Sequence, residues 1–173
     1  ILSWSSKVSK FKYVSLRYFN AAGADFDLKI GEKHNPETHI IPLVIRSLGC
    51  GEKLKIFGNN YNTEDGTAIR DYIHVNDLAR AHLKAIEYLN SGGNSDIFNL
   101  GSGNGTSIKE IINLLEKISD LKCNKVILDK RVGDPSVLFA DINKAKNILN
   151  WEPKYSNIET ILRSAWNWYK KNN

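Results

Sequence analysis

The stretch that decides the fold is Leu16-Arg17-Tyr18-Phe19-Asn20-Ala21-Ala22-Gly23-Ala24. Residues 12–18, which lead into and through it, alternate between apolar and polar side chains, and this alternation predicts a strand. Asn20 then stands at the carboxyl end of that strand, and the small residues after it allow a ligand to approach the backbone closely. In open α/β sheets, ligands bind outside the carboxyl ends of the strands. The stretch therefore indicates an α/β sheet. Asn20 could contact a ligand there or simply cap a turn, and the residues alone favour the turn cap.

Strands and helices alternate along the rest of the chain, which predicts the α/β class. Further strands are expected at 54–57, 72–75, 97–100 and 126–128. A polar loop with Gly and Pro is expected over 23–37, and a helix over 38–48. Later helices are expected after an Asn76 N-cap, after the capping box Ser107–Glu110 and after a second capping box, Ser156–Glu159.

The composition is typical of a globular protein, with 42% hydrophobic and 25% charged residues. The net charge of +5 could indicate a nucleic-acid partner. However, the Lys residues are scattered, with no basic run beyond Lys170-Lys171, so we expect no nucleic-acid partner. No apolar run is long enough for a membrane span, so no membrane partner is expected. Cys50 and Cys123 lack the spacing of a metal site or a disulfide framework, and free thiols favour the cytoplasm.

Several conspicuous features are interpreted as structural. Gly101-Ser102-Gly103-Asn104-Gly105 lies between a strand and a helix, as a dinucleotide-binding turn does, but it lacks the G-x-G-x-x-G spacing. A tight turn needs glycines for backbone reasons alone. His74 stands between apolar residues in a strand pattern and is expected in the core. His34 and His39 lie five positions apart around Pro36, and this spacing predicts no metal site.

Arg70 and Arg131 are the strongest candidates for a binding site. A guanidinium presents a planar fork of donors that matches phosphate oxygens. Tight binding of a diphosphate would need roughly two such cations. The alternative is a surface salt bridge, such as one between Arg70 and Asp71. Phe57 could stack on a nucleobase or belong to the core, and the residues alone leave both interpretations open.

A second motif and several further runs carry a family resemblance. The motif is Asp65-Gly66-Thr67-Ala68-Ile69-Arg70-Asp71-Tyr72-Ile73-His74-Val75, and the other runs are Arg17–Asn20, His34–Pro42, Ile56–Thr67, Arg131–Pro135 and Leu149–Pro153. With them, essentially the whole chain resembles the sugar-nucleotide epimerases of the extended short-chain dehydrogenase/reductase family, and the UDP-glucose 4-epimerases in particular. The loop that ends at Asp65-Gly66-Thr67 is specific to the epimerases within that superfamily.

The resemblance implies binding of UDP-glucose and UDP-galactose, with NAD as the cofactor. The residues implied to contact the substrate are, for the diphosphate, Asn20, Arg70, Arg131 and the backbone at Ile40; for the uridine, Lys55, Phe57, Tyr72 and Asp134; and for the hexose, His39 and Leu138. Tyr18 and Phe19 would lie beside the nicotinamide. An aliphatic residue at Leu138 leaves UDP-N-acetylhexosamines open as further substrates.

Two motifs of the family do not occur in the chain. It contains no G-x-x-G-x-x-G and no Tyr-x-x-x-Lys, since Tyr13 is followed four residues later by Arg17. The resemblance therefore implies a C-terminal portion: residues 1–25 as the end of the NAD(P)-binding Rossmann-like domain, and 26–173 mostly as a small α/β UDP-sugar-binding domain with segments returning to the Rossmann sheet. We expect no catalytic residue here, NAD held mainly by the other half, and a homodimeric parent.

Two other functions stay open at this point. The chain could be a non-catalytic remnant that at most binds UDP, or part of another NAD-dependent nucleotide-sugar enzyme, such as a dehydratase or decarboxylase. The Asp65-Gly66-Thr67 loop argues against the second alternative.

Overall fold

A computed structural model describes all residues from 1 to 173. The helices are α1 (Leu2–Ser9), α2 (Ile40–Cys50), α3 (Val75–Asn90), α4 (Ile108–Ser119), α5 (Asn143–Leu149) and α6 (Ile158–Asn172). The strands are β1 (Val14–Tyr18), β2 (Asn20–Ala22), β3 (Leu54–Phe57), β4 (Ile69–Arg70), β5 (Tyr72–His74), β6 (Asp96–Leu100), β7 (Thr106–Ser107), β8 (Lys125–Leu128) and β9 (Val137–Leu138). This alternation confirms the predicted α/β class.

The strands form four small sheets in which parallel pairing predominates. β1 pairs with β6, β2 with β5, and β3 with β8, all in parallel. β4 lies between the antiparallel β7 and the parallel β9. The registers place Asn20 opposite Tyr72 and Arg70 opposite Leu138. Residues that are far apart in the sequence are thereby brought side by side in each pair.

Two hydrophobic cores support this arrangement. The larger core joins one face each of α2, α4 and α6, through residues such as Val44, Ile111 and Leu162. The second core packs α3 and α5 against β1 and β6 around Phe98 and Trp151. Burial of apolar side chains contributes roughly 25 cal/mol per Å². The larger core therefore holds α2 firmly, and α2 is the helix whose first turn borders the candidate site.

Helix α3 begins differently from the prediction that Asn76 is its N-cap. The N-cap is His74, whose Nδ1 accepts a hydrogen bond from the backbone N–H of Asn76 at 3.1 Å. The imidazole is fully buried, its Nε2 lies 3.1 Å from the Ser164 hydroxyl, and its ring stacks on Phe26. The structural interpretation of His74 is confirmed, because both ring nitrogens are used within the fold.

Helix α6 also begins one residue later than its predicted capping box. Asn157 is the N-cap and accepts from the N–H of Glu159 at 3.0 Å. The Ser156 hydroxyl instead donates to Asp77 at 2.7 Å and accepts from the N–H of His74 at 3.0 Å. The prediction fails because a distant carboxylate competes for this hydroxyl. At α4, by contrast, the predicted Ser107 cap is confirmed, at 3.0 Å to the N–H of Glu110.

No helix of the structure combines the length and the apolar character that a membrane crossing would require.

Candidate functional site

A pocket opens where the end of β1 and strand β2 meet the first turn of α2. Six residues that the sequence analysis selected line it together: Tyr18, Phe19, Asn20, His39, Ile40 and Tyr72. The small side chains of Ala21 and Ala22 complete the wall along β2. The pocket therefore lies at the carboxyl end of β1, where ligands bind in open α/β sheets.

Asn20 is held in place by the neighbouring strand. Its Nδ2 donates to the carbonyl oxygen of Asp71 at 2.6 Å, and its backbone N–H donates to the same carbonyl at 3.1 Å. A side-chain amide nitrogen carries two hydrogens, so one remains for a ligand. The fold thus orients Asn20 as a fixed donor on the pocket wall.

The first turn of α2 adds backbone donors to this pocket. His39 is the N-cap and Ile40 is the first helical residue, so the N–H of Ile40 has no intrahelical acceptor. Pro42 lies in the same turn and lacks an N–H group, which is tolerated there because no intrahelical bond is lost. The helix dipole places partial positive charge at this end, which favours an anionic ligand.

A second group of site residues adjoins the pocket through the β4–β5 segment. Arg70 forms a short ion pair with Asp134 through Nη2, and its Nη1 donates to the carbonyl oxygen of Ile69 at 2.7 Å. The guanidinium carbon of Arg131 lies 3.9 Å from the centroid of the Phe57 ring. Asp71 is the only residue between Arg70 and the pocket-lining Tyr72, and the Arg70 charge reaches the Tyr72 phenol, so the two groups are neighbours.

Tyr61 belongs to this second group, and the sequence analysis did not select it. Its hydroxyl donates to Asp134 at 3.4 Å, and the ammonium of Lys130 lies 4.4 Å from its ring centroid. Burial, followed by the Asp134 carboxylate, raises the pKa of the Tyr61 phenol. Tyr61 lies inside the run Ile56–Thr67, which carries part of the family resemblance, and that position was the only sequence feature that pointed to it. The neighbouring residues did not distinguish Tyr61 from an aromatic residue of the core.

Tyr72 is buried at the junction of the two groups. Burial raises the pKa of its phenol, and the nearby Arg70 guanidinium only partly opposes that effect. The phenol therefore stays protonated at neutral pH. Its chemistry is that of a hydrogen-bond donor in the site, and an ionised Tyr72 is disfavoured.

Two predicted residues lie at the margin of the site. Lys55 is exposed on β3 and shares a face of that strand with Phe57, because side chains two apart in a strand point the same way. Leu138 is exposed on β9 beside Arg70. Their assignment to the uracil and the hexose stays a prediction.

The alternative pairing of Arg70 with Asp71 does not occur, because the Asp71 carboxylate faces the Gly101–Gly105 turn. Its Oδ1 accepts from the N–H and the hydroxyl of Ser102 at 2.7 and 2.6 Å. Its Oδ2 accepts from the N–H groups of Gly103 and Ala140 at 3.1 and 3.0 Å. A β-carbon at Gly101 would lie 2.3 Å from Oδ2. The protein's own carboxylate thus occupies the donors that a phosphate would use, as the structural interpretation of this turn implies.

Comparisons with known proteins agree on one family. The family model described as "NAD dependent epimerase/dehydratase family" matches residues 1–101. A UDP-glucose 4-epimerase of Halalkalibacterium halodurans is 50% identical over 169 residues, which are 97% of this chain and 51% of that protein.

Solved structures extend the likeness to the fold. The structure of a UDP-glucose 4-epimerase from Brucella ovis in complex with NAD matches with a TM-score of 0.92 at 44% identity, over 96% of this chain and 51% of that one. The UDP-Glc/GlcNAc 4-epimerase of Campylobacter jejuni matches with a TM-score of 0.79 at 42% identity, over 98% of this chain and 52% of that one. The chain spans about half the length of the relatives it matches.

Proposed function

This chain belongs to the NAD dependent epimerase/dehydratase family, and we propose that it is the UDP-sugar-binding half of a UDP-glucose/UDP-galactose 4-epimerase. The parent enzyme would interconvert the two C4 epimers through a transient, NAD-dependent oxidation. Residues 1–25 would close the Rossmann-like domain, and residues 26–173 would form most of the sugar-nucleotide domain. The observation that carries the proposal is the single pocket that gathers six residues which the family resemblance had selected from the sequence.

The diphosphate is proposed to bind at the junction of the two groups. Asn20 and the N–H of Ile40 would donate to phosphate oxygens from the pocket side, and Arg70 and Arg131 would donate from the other side. Two guanidinium groups match the charge of a nucleoside diphosphate and offer bidentate hydrogen bonds. The ion pair with Asp134 supports this role, since it keeps Arg70 ordered at the site in the absence of a ligand.

Uridine binding requires a rearrangement at Phe57. The guanidinium of Arg131 covers one face of that ring at 3.9 Å, where a base would otherwise stack. We therefore propose that Arg131 leaves the ring and pairs with the diphosphate as the nucleotide enters. Lys55 would then border the uracil, and the Asp134 oxygen that faces Tyr61 would accept from a ribose hydroxyl.

The hexose would lie in the pocket beside His39 and Leu138. Bound NAD would supply the reversible hydride transfer at C4 of the sugar. The pocket fits that cofactor at its edge, because Tyr18 and Phe19 line it at the carboxyl end of β1. The residues of this chain hold the UDP moiety while the hexose turns over, and that remote binding energy retains the oxidised sugar.

The proton-transferring base is proposed to come from the other half of the parent enzyme. The family uses a Tyr-x-x-x-Lys pair for this step, and no such pair occurs among these residues. The exposed apolar side chains of α1, such as Trp4 and Val8, support this proposal because they suit a packing partner. By itself the chain is proposed to bind the nucleotide without turning it over.

N-acetylated hexoses are included among the proposed substrates. Leu138 is aliphatic and exposed on β9, and it would border the substituent at the C2 position of the sugar. The Campylobacter jejuni relative is described as acting on both the plain and the N-acetylated glucose nucleotide. Competition between UDP-galactose and its N-acetylated analogue for the pocket tests this extension.

The proposed function is tested by titrating UDP into the protein with and without Arg70. Replacing Arg70 with Gln removes a charge-assisted contact worth about 1.5–3 kcal/mol. This loss corresponds to a Kd for UDP about 10- to 150-fold higher. Arg163→Gln is the matched control, since Arg163 forms only an exposed i,i+4 pair with Glu159 on α6. Equal UDP affinity in both variants would contradict the assignment of Arg70 to the UDP-binding site.

A second measurement tests the assignment of the base. The chain is mixed with NAD and UDP-galactose, and the formation of UDP-glucose is followed by chromatography. We expect no conversion by the chain alone and conversion by the whole parent enzyme. Turnover by these 173 residues would show that a base exists among them.

A further inference from the structure

The loop between β2 and α2 brings four potential metal ligands together. They are Glu32, His34, Glu37 and His39, and one ligand atom from each lies within 4.8 Å of all the others. Their spacing along the chain predicts no metal site. The loop nevertheless folds back on itself, so that both imidazoles face the same two carboxylates.

We propose that these four side chains bind one divalent transition-metal ion of the Zn²⁺ class. Zn²⁺ binds imidazole nitrogens at about 2.0–2.1 Å and carboxylate oxygens at about 2.0–2.2 Å. On a tetrahedral ion at those bond lengths, neighbouring ligand atoms lie about 3.3 Å apart.

Three of the four nitrogen–oxygen separations in the loop are close to that requirement, and the fourth is shorter. Nδ1 of His34 lies 3.1 Å from Oε1 of Glu32 and 3.7 Å from Oε1 of Glu37. Nδ1 of His39 lies 3.8 Å from Oε1 of Glu37 and contacts Oε1 of Glu32 still more closely. To surround one ion, His39 and Glu32 would have to move apart, and the other pairs would need only small adjustments.

Charge and ligand type also suit such an ion. Two carboxylates neutralise a divalent cation, and two neutral imidazoles complete a nitrogen and oxygen set that is typical of Zn²⁺. Mg²⁺ and Ca²⁺ prefer sites made of oxygen alone, so the imidazoles select against them.

Hydrogen bonds to the backbone hold the loop in this shape. Oε1 of Glu37 accepts from the N–H groups of Thr38 and His39, each at 2.8 Å, and its side chain is only 1% exposed. Arg46 donates to the carbonyl oxygen of His34 at 3.2 Å. These contacts fix the Glu37 carboxylate and the loop backbone beside both imidazoles.

Two imidazoles approach the same two carboxylates, with their ring centroids 5.1 Å apart. Separate hydrogen bonds would join these groups pair by pair, whereas one divalent ion would satisfy both nitrogens and both carboxylates together. The side chains of His34 and His39 are 53% and 57% exposed, so an ion can enter from solvent.

The proposed ion goes beyond nucleotide binding, but it lies next to the proposed pocket. Glu32 and His39 also line that pocket, and Glu32 belongs to the loop rather than to a strand or helix. A bound ion would tie the loop to the first turn of α2 and fix the orientation of the His39 ring. Its role would therefore be to order one wall of the pocket.

The test uses the native polypeptide that carries this chain, freed of metal with a chelator. Zn²⁺ is titrated in by calorimetry, and Co²⁺ is added separately to record the visible absorption of a tetrahedral complex. We expect one equivalent of Zn²⁺ to bind, and His34→Ala to weaken it by at least about tenfold, as losing even a supporting contact does at such sites. His82→Ala is the control, because His82 is exposed on α3, outside the loop.

Two results would overturn the proposal: no uptake of Zn²⁺ by the unaltered protein, or equal Zn²⁺ affinity in His34→Ala and His82→Ala. Circular dichroism checks the fold of each variant, and Glu32→Gln provides a second substitution if His34→Ala misfolds. UDP affinity is measured on the same samples. His34 contacts no proposed nucleotide atom, so retained UDP binding with lost Zn²⁺ binding separates this site from the proposed function.

Discussion

Replacing Asp71 with Asn is expected to destabilise the protein strongly. The Asp71 carboxylate is fully buried and accepts four hydrogen bonds, two on each oxygen. Three of the donors are backbone N–H groups, and the fourth is the Ser102 hydroxyl. Asn keeps only one acceptor oxygen and turns an NH₂ group toward two of these donors.

The size of the effect follows from those four contacts. With the amide nitrogen facing Ser102, the hydroxyl can turn and accept, but the N–H of Ser102 loses its acceptor, which costs about 1–3 kcal/mol. The bonds to Gly103 and Ala140 become neutral and weaken by about 1 kcal/mol each. Relief from burying a charge offsets part of this loss. We expect a net loss of about 3 kcal/mol of unfolding free energy, and a larger loss for Asp71→Ala.

Urea denaturation followed by tryptophan fluorescence measures this loss. Asp129→Asn is the control, because Asp129 is exposed and makes no side-chain hydrogen bond. A stability of Asp71→Asn within about 0.5 kcal/mol of the unaltered protein, the usual range of surface substitutions, would refute the reasoning. That result would mean that the Gly101–Gly105 turn does not depend on this carboxylate.

Two further predictions concern helix caps. Burial lowers the pKa of His74 below its ordinary value of 6.5, outweighing the attraction of Asp77 and Asp25. The unfolded chain therefore binds this proton more readily. The stabilisation by neutral His74 should be complete above pH 6.5 and decline as the pH falls toward the folded-state pKa. Denaturation across this pH range should show a shallower decline in His74→Asn than in His82→Asn, and equal slopes would contradict the assignment. Ser107→Ala should lower the unfolding free energy by about 1 kcal/mol through loss of the α4 cap, and Ser119→Ala, at the other end of α4, should cost less.

Local patterns were sufficient to predict most of the secondary structure. The alternation in 12–18 and the apolar spacing after Ser107 reflect the repeats of a strand and a helix, which each segment carries by itself. The cap of α4 was predictable because Ser107 finds its partner three residues away. The caps of α3 and α6 were not, because Ser156 is taken by Asp77 and the capping group of α3 is an imidazole.

The candidate site, too, was only partly predictable from the sequence. Asn20, Ile40 and Tyr72 were selected from motifs, and the structure brings them into one pocket. Tyr61 was missed, because its significance depends on Asp134, which is 73 residues away in the sequence. Motif comparison selected residues that line the pocket more readily than it identified the residues they contact.

The sequence by itself determined the α/β class, the order of most elements, the family and the absence of a Tyr-x-x-x-Lys pair. Periodicity, caps and motifs are properties of neighbouring residues, so they can be read along the chain. Only the tertiary structure decided that Arg70 pairs with Asp134, that Asp71 fills the glycine turn, and that the β2–α2 loop gathers two imidazoles around two carboxylates. These contacts join residues whose separation in space is set by how segments pack, and sequence spacing does not encode that separation.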